Sequence, residues 1–159
     1  MKSKPLNRVI ARLEERLARP SPAVRIPGLW IDPTGPVAAQ SVVPEQFFLD
    51  SLRGILASPR RKRVTDGDVP GDWGKNAIAY NLLVRYGAAF DHDGDGRISC
   101  EPLASGWRET GTFLKATAML PFIRSLGCNT IHLLPITSIG QDGNKGDMGS
   151  AFAIRDPYA

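Results

Sequence analysis

The chain has 159 residues, enough for one ordinary domain with its own core. Apolar residues make up 42% of it and charged residues 23%, a balance that favours neither a disordered chain nor a membrane protein, and no uncharged apolar run approaches the roughly 18 residues of a membrane helix. The formal net charge of +4 has a local source in the basic run at 60–63. No aromatic or glycine-rich RNA-binding pattern accompanies that run, so we expect a solvated linker and no nucleic-acid partner.

Two further features of the sequence indicate the cellular compartment of the protein. The cysteines, Cys100 and Cys128, are too few for a disulfide framework and lack metal-ligand spacing. The short apolar stretch at 9–11 is followed at once by charged residues, so it does not resemble the core of a signal peptide. We therefore expect a cytoplasmic protein with ordinary thiols and no membrane partner.

An amphipathic helix is predicted near the N-terminus. Val9, Ile10, Leu13 and Leu17 recur at helical spacing, and Pro20 follows them as a stop. The apolar stripe is narrow and lacks the aromatic residues of a membrane-surface helix, so packing on the rest of the protein is favoured.

An extended arm and a second helix follow. The stretch 21–44 is rich in Pro and Gly and predicts an arm with turns, whose apolar residues at 26–31 need a surface to pack on. Pro44 at an early helical position, with apolar spacing up to Pro59, predicts the second helix. With the basic linker, these elements form an N-terminal segment at 1–70.

The pattern changes to strand, helix, strand after the linker. The mostly apolar stretch 76–84 is typical of a strand buried on both faces, and 129–136 predicts a second strand. Between them, after a loop at 85–111, residues 112–126 have helical spacing, with Pro121 predicting either a kink or two consecutive helical pieces. This arrangement is a βαβ unit with parallel strands, so the predicted fold class is α/β.

Three segments resemble the α-amylase family of glycoside hydrolases, family thirteen. The family's second barrel strand is similar to GCNTIHLLPI at 127–136, and the segment that follows it is similar to GSAFAIRDPY at 149–158. The first barrel strand resembles YNLLVR at 80–85. Order and spacing agree, and the likeness covers the chain from about residue 71 to its end.

The resemblance implies the first part of a (β/α)₈ barrel, because that fold typically needs about 250 residues and only strands one and two fit here. Residues 71–159 would begin the catalytic barrel. The family's three acidic catalytic groups follow later strands, so no catalytic residue is assigned and the chain alone is predicted to be inactive. The parent enzyme would be a retaining glycosidase that acts on α-glucosidic linkages in carbohydrate metabolism.

An acidic loop carries the strongest chemical motif of the sequence. Asp91, Asp93 and Asp95 alternate before the turn residue Gly96, and carboxylate oxygens are the ligands that Ca²⁺ prefers. The pattern begins like an EF-hand loop but has Pro102 where the bidentate Glu belongs. A plain acidic surface turn is the alternative.

The family resemblance also implies Ca²⁺ at this loop, since several members bind it after the first barrel strand. Asp91, Asp93 and Asp95 match its ligands, and the backbone carbonyl of Arg97 would add another. Ser99 stands in place of the final Asp, so Glu101 or water would supply the last ligand.

The same resemblance implies substrate-binding residues at the end of the chain. Phe152 falls where the family has a Tyr that stacks on the sugar, and Asp156 and Tyr158 match the next Asp and Tyr. An α-glucan or oligosaccharide would be the partner of the full-length enzyme. Without the resemblance, Phe152 would be taken as a core residue.

Three hypotheses therefore follow from the sequence. The first is the N-terminal fragment of an α-amylase-type enzyme. The second is a non-catalytic calcium-binding module, and the third is a small α/β protein that merely shares two strands with the barrel family.

Overall fold

The computed structural model of the chain describes residues 4–59, 72–134, 136–140, 146, 148–150 and 152–156. The basic run at 60–63 and the predicted substrate residue Tyr158 lie outside these ranges. The helices and strands, in chain order, are α1 (Lys4–Leu17), β1 (Val24–Ile26), β2 (Gln40–Val42), α2 (Pro44–Ala57), β3 (Ala79–Leu82), α3 (Val84–Gly87), α4 (Phe113–Ala118), α5 (Leu120–Ser125), β4 (Thr130–Leu133), β5 (Ser138–Ile139) and β6 (Ile154–Asp156).

Both N-terminal helices are confirmed, and the arm between them folds back on itself. Strands β1 and β2 pair antiparallel, with Val24 opposite Val42, and a short 3₁₀ helix at Gly28–Trp30 lies between them. Ile26 and Trp30 are buried, so the arm has the packing surface that its apolar residues require.

The βαβ unit is confirmed as a parallel pair. Ala79 lies opposite Thr130 and Leu82 opposite Leu133 along β3 and β4. The intervening helix forms two pieces, α4 and α5, and Pro121 lies in the first turn of the second, where its missing N–H costs no helical hydrogen bond.

Two expectations about the first parallel strand are wrong. The strand ends at Leu82, because the backbone turns to make the short helix α3, in which the Gly87 N–H donates to the Leu83 carbonyl. Nor is the strand buried on both faces: Leu82 is buried, whereas Ala79 and Asn81 are exposed because no described element covers that face.

One hydrophobic core joins the N-terminal segment to the βαβ unit. Phe48 of α2 stacks on the Trp107 ring with centroids 5.3 Å apart, and α2 also packs on α4. Burial of a large apolar side chain is worth about 1.5–3 kcal/mol, so this contact is a principal link between the segments. The core residues are Leu13, Val24, Ile26, Trp30, Phe48, Leu49, Leu52, Leu82, Val84, Ala88, Ala116, Ala118, Met119 and Ile123.

The described strands form three separate two-stranded sheets, β1–β2, β3–β4 and β5–β6, and do not close into a barrel. The predicted (β/α)₈ architecture therefore stays a prediction. Among the described helices, none has the length and hydropathy that crossing a bilayer requires.

Candidate functional site

The acidic loop brings its three aspartates together as the sequence predicts. A carboxylate oxygen from each of Asp91, Asp93 and Asp95 lies within 4.8 Å of the others. The loop turns at Gly94 and Gly96, whose φ angles of 86° and 85° lie in the left-handed region that favours glycine. The sequence therefore folds this loop so that three carboxyl groups lie close together.

Hydrogen bonds within the loop fix the first carboxylate. Oδ1 of Asp91 accepts the Gly94 N–H at 2.5 Å, and Oδ2 accepts the Gly96 N–H at 3.1 Å. Burial acts to raise the pKa of Asp91, but these two bonds, with the charge of Arg25, lower it below its ordinary value of 3.8. Asp91 is therefore ionised at neutral pH.

Two other predicted ligands, Arg97 and Glu101, follow the aspartates. The Arg97 N–H donates to Asp95 Oδ1 at 2.8 Å, so this residue continues the turn. Among the described side chains, the cluster of acidic ligand atoms comprises the three aspartates without Glu101. The ligand roles of the Arg97 carbonyl and the Glu101 carboxylate stay predictions.

A buried carboxylate that no sequence motif predicts lies beneath the loop. The Glu109 side chain, 1% exposed, accepts the N–H groups of His92 at 2.7 Å, Ser99 at 2.8 Å and Asp93 at 3.3 Å. It thereby joins both ends of the acidic loop. No motif marks Glu109 in the sequence, because its burial arises from contacts with residues up to 17 positions away.

A buried lysine holds the backbone at Glu109. Lys115 of α4, 1% exposed, donates from Nζ to the carbonyl oxygens of Glu109 at 2.9 Å and Thr110 at 3.0 Å. Burial lowers the pKa of Lys115 to about 7, while the charge of Glu109 acts to raise it. In the sequence, the feature that could have indicated this burial is the position of a lysine amid the apolar residues of a predicted helix.

The N-terminal arm reaches the acidic loop through Arg25. The Arg25 N–H donates to the His92 carbonyl at 2.9 Å, and His92 Nδ1 donates to the Arg25 carbonyl at 2.5 Å. Burial is the main cause that lowers the pKa of His92. The Arg25 guanidinium also faces Asp91, so one strand of the arm supports the loop through backbone and charge.

A cavity of about 160 Å³ lies at the carboxyl ends of the two parallel strands. Its walls are residues 83–86 after β3, residues 111–113 before α4, and Ile136, Thr137 and Ile139 after β4. In parallel α/β folds this end of the sheet carries the binding loops. The cavity is therefore where a ligand of this βαβ unit would be expected.

The predicted substrate residues follow the second of these strands. Phe152 is 73% exposed, so its interpretation as a core residue is wrong for this structure. Asp156 lies on β6 opposite Ser138, next to the cavity wall. The Tyr86 hydroxyl donates to the Gly149 carbonyl, which holds the start of this segment against α3.

No protein-family model matches the chain. It is 32% identical over 115 residues to an α-1,4-glucan:maltose-1-phosphate maltosyltransferase of Mycolicibacterium smegmatis, a match that covers 63% of this chain and 15% of that protein. It is 30% identical over 158 residues to the enzyme of that name from Mycobacterium tuberculosis, covering 89% of this chain and 19% of that protein. The chain thus spans less than a fifth of the length of these curated relatives, and it is related in sequence to enzymes named for transfer of maltosyl units to α-1,4-glucan.

Proposed function

We propose that this chain is part of an enzyme that acts on α-linked glucosyl units, by transfer or by hydrolysis. It would supply the first two strands of an α-amylase-type barrel and part of the substrate rim. The observation that carries the proposal is the relationship to the maltosyltransferases over 89% of the chain. The parallel pairing of β3 and β4 agrees with the expected order of the first two barrel strands.

The proposed substrate rim follows β4. Phe152 presents its ring to solvent, which suits stacking on the apolar face of a sugar. Asp156 lies on the strand beside the cavity, and its carboxylate suits hydrogen bonding to sugar hydroxyls. Tyr158, two residues further on, is proposed for the same rim from the family resemblance alone.

A binding experiment tests the glucan proposal on the chain as it exists. Maltoheptaose, which is α-linked, is titrated into labelled protein while amide shifts are followed by NMR, and cellohexaose, which is β-linked, is the ligand control. We expect shifts around residues 137–156 with maltoheptaose that Phe152→Ala reduces at least threefold. Trp73→Ala, which removes another exposed aromatic side chain, is the matched variant and is expected to have no effect.

Two results would contradict the proposal. Equal responses to the two oligosaccharides would contradict the proposed specificity for α-linked glucosyl units. The absence of any shift with maltoheptaose would contradict the proposed substrate rim. Assays of the chain alone with maltose-1-phosphate and glycogen are expected to give no transfer, because no catalytic carboxylate is assigned to it.

We further propose that the acidic loop binds one Ca²⁺. The chemistry fits, since three carboxylate oxygens lie within 4.8 Å of one another and oxygen is the donor that this hard cation requires. A calcium-binding module without catalytic function is the second candidate, and the same cluster supports it. Calorimetric titration with Ca²⁺ is expected to show one saturable site that Asp93→Ala abolishes, whereas heats that never saturate would remove the metal proposal.

The two candidates differ in their response to sugar. A calcium module binds Ca²⁺ and does not distinguish maltoheptaose from cellohexaose. A segment of a glucan-active enzyme distinguishes them, whether or not Ca²⁺ is bound.

A further inference from the structure

The Glu109 carboxylate is almost fully buried, and both of its oxygens accept hydrogen bonds. Oε1 accepts the N–H groups of His92 and Asp93, and Oε2 accepts the Ser99 N–H. A buried carboxylate is costly unless it is hydrogen-bonded, so these contacts stabilise Glu109 and at the same time fix the backbone that donates to it. The two ends of the acidic loop are held at a set separation by one side chain.

The base of this arrangement is also fixed. The Phe90 N–H donates to the Glu109 carbonyl at 2.9 Å, and Lys115 Nζ donates to the same oxygen and to that of Thr110. Lys115 belongs to α4, and its backbone N–H donates at 3.2 Å to the Thr112 hydroxyl, which caps the first turn of this helix. Because α4 packs on α2, the position of Glu109 is tied to the core of the protein.

Glu109 is not placed to be a ligand itself. Its oxygens point at backbone N–H groups, and its side chain is 1% exposed, whereas Asp93 and Asp95 are exposed. Its effect on a cation would therefore pass through the loop backbone.

That effect has a physical basis in charge repulsion. Three carboxylates within 4.8 Å repel one another in the absence of a cation, and a free loop would separate them. A backbone that is already held in shape removes part of this cost before the ion arrives. Pre-organisation of this kind raises affinity without adding a ligand.

The geometry points to Glu109 as a positioning residue that holds the acidic loop in its cation-binding shape. This inference rests on the proposed Ca²⁺ site. One buried side chain that is not itself a ligand would thereby control the affinity of that site for Ca²⁺.

The test compares Glu109→Gln with Glu45→Gln by calorimetric titration of the full chain with Ca²⁺. Glu45 is a matched control, because it is a fully buried carboxylate that accepts the N–H of Ser21 at 3.1 Å and its hydroxyl at 2.6 Å, in contacts that do not include the loop. Glu109→Gln is expected to weaken Ca²⁺ binding by about 10- to 100-fold, as substitutions of residues that support metal ligands do. Glu45→Gln is expected to lower the melting temperature and leave the affinity within about twofold.

Three results would overturn the inference. If the wild type binds Ca²⁺ and Glu109→Gln binds it equally well, Glu109 has only a structural role and the metal site stands. If both variants weaken binding equally, the effect is general destabilisation. If the wild type does not bind Ca²⁺, the metal proposal fails together with this inference, while the glucan proposal keeps its separate test.

A measurement without substitution covers the case in which Glu109→Gln does not fold. Amide hydrogen exchange of the wild type is followed by NMR with and without Ca²⁺. The amides of His92 and Ser99, which donate to Glu109, are expected to be protected before Ca²⁺ is added. Protection that appears only with Ca²⁺ would show that the cation, and not Glu109, shapes the loop.

Discussion

The Arg25 guanidinium lies 3.8 Å from the Asp91 carboxylate, so a positive charge from the N-terminal arm already faces the acidic loop. This ion pair competes with any cation that needs the same carboxylate. The Arg25 side chain is 48% exposed, so the competition is modest, since exposed pairs are worth under about 1 kcal/mol. Arg25→Gln is therefore expected to tighten Ca²⁺ binding about two- to fivefold in a calorimetric titration.

Arg53→Gln is the matched control for that prediction. It removes the same charge from an exposed ion pair, with Glu14 at 2.7 Å, between α1 and α2. It is expected to change the Ca²⁺ affinity less than Arg25→Gln does. Equal tightening by both variants would assign the effect to net charge, and weaker binding in Arg25→Gln would contradict the competition.

The buried carboxylate of Glu45 predicts acid sensitivity. Burial acts to raise its pKa, but the hydrogen bonds from Ser21 and Trp107 lower the pKa below the ordinary value of 4.5. The ionised form is therefore favoured in the folded state, and the stability it contributes is present above pH 4.5 and is lost as pH falls through the lower folded pKa.

Urea unfolding measures this contribution. Glu45→Gln is expected to lower the free energy of unfolding at pH 7 by about 1–3 kcal/mol, the range for an unsatisfied buried polar group. The variant's free energy of unfolding should also change less than the wild type's between pH 5 and pH 3. Parallel profiles for the two proteins would show that Glu45 does not carry the acid sensitivity.

Lys115 predicts a further rise in stability at alkaline pH. Its pKa falls from 10.5 to about 7 on folding, so the unfolded chain binds this proton more tightly between those values. The free energy of unfolding should therefore rise with pH from about 7 toward 10.5, by at most about 1.4 kcal/mol per pH unit from this group. Glu109 is the ionisable group whose charge acts to raise the Lys115 pKa against this effect of burial.

Lys115→Met is the variant that isolates the slope. It keeps an unbranched side chain of similar length and removes the titration, so its stability profile from pH 7 to pH 9.5 should be flatter than that of the wild type. Urea midpoints at each pH give the comparison, and subtraction of the two profiles cancels the tyrosines and cysteines. A difference profile without slope would mean that Lys115 keeps its ordinary pKa in the fold.

The elements that the sequence predicts correctly are those whose signals are local. Helix α2 begins at Pro44, the helical pieces divide at Met119 just before Pro121, and the Asp91–Asp95 turn depends on glycines within the loop. Each of these features is decided within a few residues of chain. Parallel pairing of β3 and β4 follows from chain order and connection length alone.

The features that the sequence does not predict depend on distant contacts. Strands β1 and β2 have three residues each, too few for an alternating pattern, and their pairing depends on the core beneath the arm. Glu109 and Lys115 are buried because the chain after residue 88 folds back onto the core. No periodicity in the sequence predicts this path of the chain. The support of the candidate metal site is therefore less predictable than its ligands.

Gly111 gives a test of how the chain closes the cavity at the end of β3. Its N–H donates to the Arg85 carbonyl at 2.8 Å, and a Cβ at this position would lie 1.7 Å from the Val84 carbonyl oxygen. The Val84 carbonyl oxygen is a backbone atom, so a side-chain rotation cannot relieve the clash. Gly111→Ala is expected to destabilise the fold by about 1–3 kcal/mol or more, as overpacking does.

Gly54→Ala is the control, because a Cβ at this position in α2 would meet nothing within 4 Å. In a helix interior this change should stabilise the protein by roughly 0.5–1 kcal/mol. Urea unfolding of the two variants should therefore shift the midpoint in opposite directions. If Gly111→Ala unfolds at the wild-type midpoint, then α3 and residue 111 do not approach this closely in solution, and the cavity that they line is wider than the structure shows.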